Sequence, residues 1–357
     1  MTLSAGELAV TRHLLVHGPA TRQDLGDRLK LSYASMSRLA RALVDGGMAS
    51  EALEPETAIG RPRQILTAVP SARHVAGFKL TADTAYGVVC DMFGNVRATA
   101  RAALPGPDAG GGVPVPAAIR VLAQLTTRLA RRVPSLDGIG VAVGGVVADR
   151  AVVREGTFLG WSEVDLAGPL GARTGLPVIV TNDVTALARE QLWFGAGRTH
   201  ATFGVITVGA GLGFGVVREG IAVEQLIDNG HLLAHSPIDS RGPRCTLGHA
   251  GCAAAYLNRE DLQKRGAGLD DAAARALGHV VATFAGALQT TCIVLAGEDI
   301  AALTASPALA EVIADRLRPG PHEVQRCVLD VVTTPLTFND WARGAAVAGV
   351  QNVLGEA

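Results

Sequence analysis

The apolar residues of this chain change their spacing near residue 75, and one layered fold cannot satisfy both spacings. Before that point Leu8, Leu14 and Leu15, then Leu25 and Leu29, recur at helical intervals, so three helices are expected. Beyond it, short apolar runs bounded by glycine alternate with longer helical patterns, which is the grammar of an α/β fold. The chain therefore divides into a helical head over 1–75 and an α/β body over 76–357. In the body, 76–91, 138–147, 178–181, 203–208 and 213–217 read as strands. Helices are expected over 117–132, 184–193, 272–291 and 341–353, with a Gly/Pro-rich surface loop at 105–116. The texture occurs twice, so the body is expected to form two lobes.

With 48% apolar and 18% charged residues among 357, and 43 glycines, the chain can bury a large core, which excludes wholesale disorder. Five cysteines behind the polar start Met1-Thr2-Leu3-Ser4 fit a reducing cytoplasm better than a disulfide-stapled secreted fold. The most apolar stretch, 203–217, contains five glycines and ends at Arg218, short of the roughly 18 residues of a membrane helix. A net charge of −1 argues against a nucleic-acid partner only if the charge is spread evenly. It is not: residues 1–75 hold 9 basic and 7 acidic side chains, against 23 and 26 in 76–357. The segment from Arg12 to Arg41 has 6 basic and 2 acidic residues, nearly all arginine, which suits forked recognition of phosphates and bases.

Within the head, Thr21-Arg22-Gln23-Asp24 fits a capping box that starts a helix ending near Lys30. Ser32 can cap the next helix, whose apolar positions Met36, Leu39, Ala40 and Leu43 follow the i, i+3, i+4, i+7 pattern until Gly46-Gly47 stops it. Its other face carries Tyr33, Ala34, Ser37, Arg38 and Arg41, beside the Ser32 and Ser35 of its first turn. Small side chains with arginines let such a helix enter a major groove, while Thr21 and Arg22 can hold phosphates. Taken alone, the face equally fits a solvated amphipathic helix. Gly60-Arg61-Pro62-Arg63, followed by a strand-like Gln64-Ile65-Leu66-Thr67, supplies a second element: Arg61 and Arg63, held extended around proline, can enter a narrow minor groove. Helix pair and wing together predict double-stranded DNA as a partner.

These head motifs, followed by an α/β body, resemble the ROK family of repressors and sugar kinases over essentially the whole chain. The resemblance implies a winged helix-turn-helix ahead of a two-lobed, actin-like ATPase body, with a first lobe over 76–183 plus the C-terminal helix and a second over 184–340. Kinases of the family open with Gly-x-Asp-x-Gly-x-Thr, whose acid helps hold Mg²⁺. The matching stretch, Gly77 to Asp83, has Lys79, Thr81 and Asp83 in place of the Asp, Gly and Thr, so neither ATP nor phosphoryl transfer is expected. The second phosphate stretch, Thr207 to Gly215, has Ala210 where the kinases carry threonine, and Ile293 to Gly297 keeps one glycine of the adenosine motif.

The sugar side is better kept. Asn182 and Asp183 match the family pair that contacts sugar hydroxyls, the Asp being the kinases' general base; helix capping by Asp183 is the plain alternative. Gly144 and Gly145 fall where the family lines the sugar, and Asp228 and His231 where it has Glu-x-Gly-His. In relatives that His also ligates zinc with three cysteines. Here the resemblance implies His231, Cys245 and Cys252, with Leu247 in place of the middle cysteine, leaving one tetrahedral position for His249 or His235. A metal-free turn packed by two thiols is the alternative. The glutamate that follows in relatives is Ala254, and Cys90, Cys292 and Cys327 sit in apolar, core-like runs. The resemblance implies a cytoplasmic repressor of carbohydrate genes, a homodimer or dimer of dimers, sensing a sugar or sugar phosphate. Its rivals are a sugar kinase with a DNA-binding head and a ligand-independent regulator.

Overall fold

The computed structural model describes residues 3–53, 63–224, 231–318 and 328–356. The head consists of α1 (Ala5–His17), β1 (Ala20–Thr21), α2 (Arg22–Leu29), α3 (Tyr33–Asp45), β2 (Ala49–Leu53) and β3 (Gln64–Ala68), the strands pairing in the order β1-β3-β2. Ser4, Thr21 and Ser32 cap the three helices through their hydroxyls, and Gly46 ends α3. Met36, Leu39, Ala40 and Leu43 are buried as their spacing requires.

The first lobe contains β4 (His74–Leu80), β5 (Thr84–Asp91), β6 (Val96–Ala103), α4 (Val115–Ala130), β7 (Gly138–Val143), β8 (Val146–Ala148), β9 (Val152–Gly156), β10 (Trp161–Asp165), α5 (Ala167–Thr174) and β11 (Val178–Asn182). Its main sheet runs β11-β7-β4-β5-β6, antiparallel across β4-β5-β6 and parallel from β4 to β7 and β11, while β10-β9-β8 form a small separate sheet. α6 (Asp183–Phe194) leads to the second lobe: β12 (Phe203–Val208), β13 (Leu212–Arg218), β14 (Ile221–Ala222), α7 (His231–Ala234), α8 (Ala253–Leu257), α9 (Arg259–Lys264), α10 (Asp271–Leu288), β15 (Cys292–Gly297), α11 (Ile300–Thr304), α12 (Pro307–Arg316) and β16 (Asp330–Pro335). Its sheet, β14-β13-β12-β15-β16, repeats the first: an antiparallel ribbon followed by two parallel strands. The doubled texture of the sequence is thus a doubled topology. Among the described residues no helix is long and apolar enough to cross a membrane.

Several sequence expectations change. The run 76–91 is two strands, because Thr81 to Asp83 make a turn closed by Thr81 Oγ1. The run 138–147 breaks at Gly144-Gly145, and the loop at 105–116 already gives way to α4 at Val115. The last helix, α13 (Phe338–Leu354), lies flat on the first lobe's sheet: a Cβ at Gly77 would strike the Ala342 carbonyl and Ala346, and one at Gly140 the Ala345 carbonyl. Gly77 therefore makes room for a helix. α6 belongs to neither lobe alone, since Val184 meets Gly215 of β13 while Ala186 meets Gly344 of α13. Cys90 and Cys292 are core residues as expected, burial pushing their thiols up to about 12 and about 11. Cys327 lies outside the described residues.

Candidate functional site

The outward face of α3 presents Tyr33, 79% exposed, with Ala34, Arg38 and Arg41 in the open around it. Ser32 Oγ accepts from the Ser35 N–H at 3.2 Å and lies 3.0 Å from Ser35 Oγ, so both serines build the helix start. Two expectations do not hold. Ser37 turns its hydroxyl into the protein, where Oγ is covered and unpaired. Arg22 grips Glu51 of β2 with a fork, Nε to Oε1 at 2.7 Å and Nη2 to Oε2 at 2.5 Å. That hydrogen-bonded carboxylate raises the Arg22 pKa and commits the side chain to bracing α2 against the ribbon. Thr21 caps α2, with its Oγ1 bonded to Asp24 Oδ2 at 2.7 Å. Arg63 is exposed immediately before β3; Gly60, Arg61 and Pro62 lie outside the described residues.

A second site forms where β7 and β11 end side by side, the edge at which parallel sheets carry ligands. Gly144 and Gly145 make the first loop; Gly145 has φ +149°, and a Cβ there would collide with the Glu155 carbonyl. Asn182 is 2% exposed and caps α6: Oδ1 accepts from the N–H of Val184 and Thr185, and Nδ2 donates to the Gly145 carbonyl at 2.9 Å. It ties the two loops together. Asp183, the first residue of α6, turns Oδ1 to the Val184 N–H and Oδ2 to the ammonium of Lys79. The Lys79–Asp183 pair is largely buried, at 8% and 14% side-chain exposure. Lys79 Nζ also stands 5.5 Å from the ring centre of Trp341, whose Nε1 donates to Glu298 Oε1 at 2.8 Å. Glu298 Oε2 in turn occupies the space beside Gly209 that a Cβ would need. A carboxylate thus covers the loop where a kinase would cradle phosphate, and like charge opposes phosphate there. Asp228 lies outside the described residues, and His231 begins α7.

The third cluster collects His235, Cys245, His249 and Cys252, whose ligand atoms all lie within 4.8 Å of one another. Sγ of Cys245 is 3.6 Å from His235 Nδ1 and 3.7 Å from His249 Nδ1, and Sγ of Cys252 is 3.5 Å from His235 Nδ1. Zinc bonds of 2.3 Å to sulfur and 2.0–2.1 Å to nitrogen give a tetrahedral S···N edge of about 3.6 Å, so the four donors fit that ion. The turn at Gly248, φ +88°, brings His249 back onto Cys245. Among the described residues, His235 and His249, the two histidines the sequence offered for the open position, both stand beside Cys245, and Leu247 is 57% exposed.

Residues 112–268 match the ROK family, described in those words. A crystal structure of a ROK family transcriptional regulator, a homologue of the Escherichia coli Mlc protein, superposes with a TM-score of 0.78 at 19% identity, covering 98% of this chain and 96% of that one. The fold is shared with that regulator, and the ROK match covers the middle of the chain. The xylose repressor of Bacillus subtilis is 22% identical over 255 residues, 71% of this chain and 65% of the repressor. The glucokinase of Thermotoga maritima is 36% identical over 128 residues, 36% of this chain and 40% of the kinase. The matched region thus spans less than two thirds of either relative. Against the ROK kinase pattern, the residues that sequence reasoning missed are Glu298 and Trp341, which a long-range hydrogen bond joins beside Lys79. Phe158, 50% exposed beside Gly144, was missed as well; nothing in Thr157-Phe158-Leu159 separates it from a core residue.

Proposed function

We propose that this ROK protein is a DNA-binding transcriptional repressor whose kinase-like body holds a sugar without phosphorylating it. The observation that carries this reading is the pairing of Lys79 with Asp183: the carboxylate that would serve a kinase as base is held by a cation from the strand that should bear a metal-binding acid. Glu298 beside Gly209 supports the loss of nucleotide binding. The exposed Tyr33, Arg38 and Arg41 on α3, with Arg63 by the wing, support a head that reads DNA. Asp183 and the Gly144-Gly145 loop form the sugar corner, with Asn182 holding them in register.

The tetrad His235, Cys245, His249 and Cys252 would hold zinc as a closed structural site, cross-linking the loop ahead of α8. Dimerisation would set the spacing of two heads on an operator, and a sugar that prefers one closure of the lobes would shift operator occupancy. The test is to isolate the genomic fragments bound by the full chain and measure occupancy against a sugar panel, with ATP consumption followed in parallel. Occupancy that no sugar changes sinks the sensor; sugar-dependent ATP turnover sinks the inactive-kinase reading.

A further inference from the structure

Phe158 is out of place for a packing residue. Large aromatic side chains that pack in the cores of this chain are sealed, Phe78, Phe203 and Trp193 each at 0% exposure, whereas Phe158 keeps half its surface in the open. Its position is not slack. The turn Thr157–Leu159 is anchored by Leu159, 2% exposed, whose carbonyl accepts from the Val113 N–H at 2.8 Å. It closes at Gly160, φ +63°, which is packed on Gly112, and Trp161 Nε1 donates to the Val113 carbonyl at 2.7 Å. The ring is therefore presented by a braced turn, and leaving it half wet forgoes apolar burial that packing alone would favour.

What it is presented to is the sugar corner. A Cβ on Gly144 would lie 3.0 Å from Phe158 Cδ2 and 3.4 Å from Asp183 Oδ2, so the ring and the carboxylate converge on one point at the end of β7. Lys79 pairs with that carboxylate, and Glu298 accepts from Trp341, whose ring lies beside Lys79. A flat apolar ring beside hydrogen-bonding groups whose charges cancel has the chemistry of a site for a ring with one C–H face and a hydroxylated rim. We propose that Phe158 is the stacking platform of the ligand site and that the ligand is an uncharged pyranose, not a sugar phosphate. This rests on the reading that the body holds a sugar.

The test is calorimetry on the full chain with D-xylose, D-glucose, D-galactose, N-acetylglucosamine and glucose 6-phosphate, repeated on Phe158→Ala and Phe158→Tyr. At least one uncharged pyranose is expected to bind. Phe158→Ala should weaken it about tenfold and Phe158→Tyr about twofold or less, in line with the loss or retention of one aromatic contact. Unchanged melting of both variants separates a ligand effect from misfolding. Equal affinity in Phe158→Ala overturns the platform and leaves the sugar reading standing. Tighter binding of the phosphate than of glucose overturns the uncharged class. Binding by no member of the panel overturns the sugar reading, and this inference with it.

Discussion

Lys79 sits in a core strand with its ammonium on Asp183, and neither group can be removed alone without leaving a poorly solvated charge. Lys79→Met should therefore destabilise the body by about 3 kcal/mol, and adding Asp183→Asn should return most of it, because the pair is then replaced by neutral groups. Urea unfolding of the two single variants and the double variant decides this; simple additivity would show that the pair is not coupled. The arginines of the head divide by the same logic. Arg22 is taken by Glu51, at 24% and 16% side-chain exposure, so Arg22→Ala should lower stability by about 1 kcal/mol and leave the salt dependence of DNA binding unchanged. Arg41, exposed on α3, makes no such brace among the described residues. Arg41→Ala should leave melting unchanged and reduce the salt slope by about 1. Exchanged outcomes would mean that Arg22 is the phosphate contact after all.

At the scale of elements, α1 is the piece that seats the head. Val10 and Leu14 pack with Trp193 of α6 and with Val350 and Leu354 of α13, and Arg198 donates to the Val16 carbonyl. His13 and His17 stand on the same helix with ring centres 4.7 Å apart. Burial holds both below the ordinary 6.5, helped at His13 by the charges of His17 and Arg28 and at His17 by Arg198, Arg28 and Arg12. A base whose folded pKa is depressed stabilises the fold fully above its unfolded value and loses that contribution as pH falls through the folded one. Melting temperature should therefore drop on acidification below 6.5, and drop less in a His13→Gln/His17→Gln variant. Burial raises Glu190 and Glu356, which act in the opposite sense nearer 4.5, so the difference between wild type and variant isolates the histidines. Parallel curves would exclude them.

Most elements were legible, because period and caps are local: Ser32 and Thr21 announce their helices, and Met36 to Leu43 their buried face. What was not legible depends on partners distant in sequence. Gly77 looks like a phosphate glycine until α13 lies on it, Arg22 looks free until Glu51 is opposite, and the sequence offers His249 or His235 where the fold brings both to Cys245. The tetrad carries its own prediction. Protein purified without added zinc should contain about one zinc per chain, and Cys252→Ser should lose it. Metal-free wild type that melts unchanged would leave two thiols merely packed.

For the whole molecule, the question is how a change in the cleft reaches the head, and Arg12 is placed to carry it. Its guanidinium donates to the Gly220 carbonyl at 3.2 Å, in the turn between β13 and β14, and pairs with Glu356 at 3.0 Å, just beyond α13. One head residue thus holds the second lobe and the helix that lies on the first. Burial raises the Glu356 carboxyl, against the pull of Arg12, Arg189 and Arg150. Any rotation of the lobes that separates Gly220 from Glu356 must break one of the two contacts, which gives closed and open bodies different head positions. A partly exposed ion pair with one hydrogen bond is worth about 1 kcal/mol, a large share of a coupling energy of about 1–3 kcal/mol. Arg12→Ala should therefore keep operator affinity within about threefold while shrinking the ratio of occupancy without and with sugar about fivefold. Operator titrations of both proteins, with and without the sugar that wild type responds to, measure that ratio. If it stays constant, the coupling runs through the apolar seam of Leu14, Trp193 and Leu354 instead, and truncating Leu14 becomes the variant that uncouples head from body.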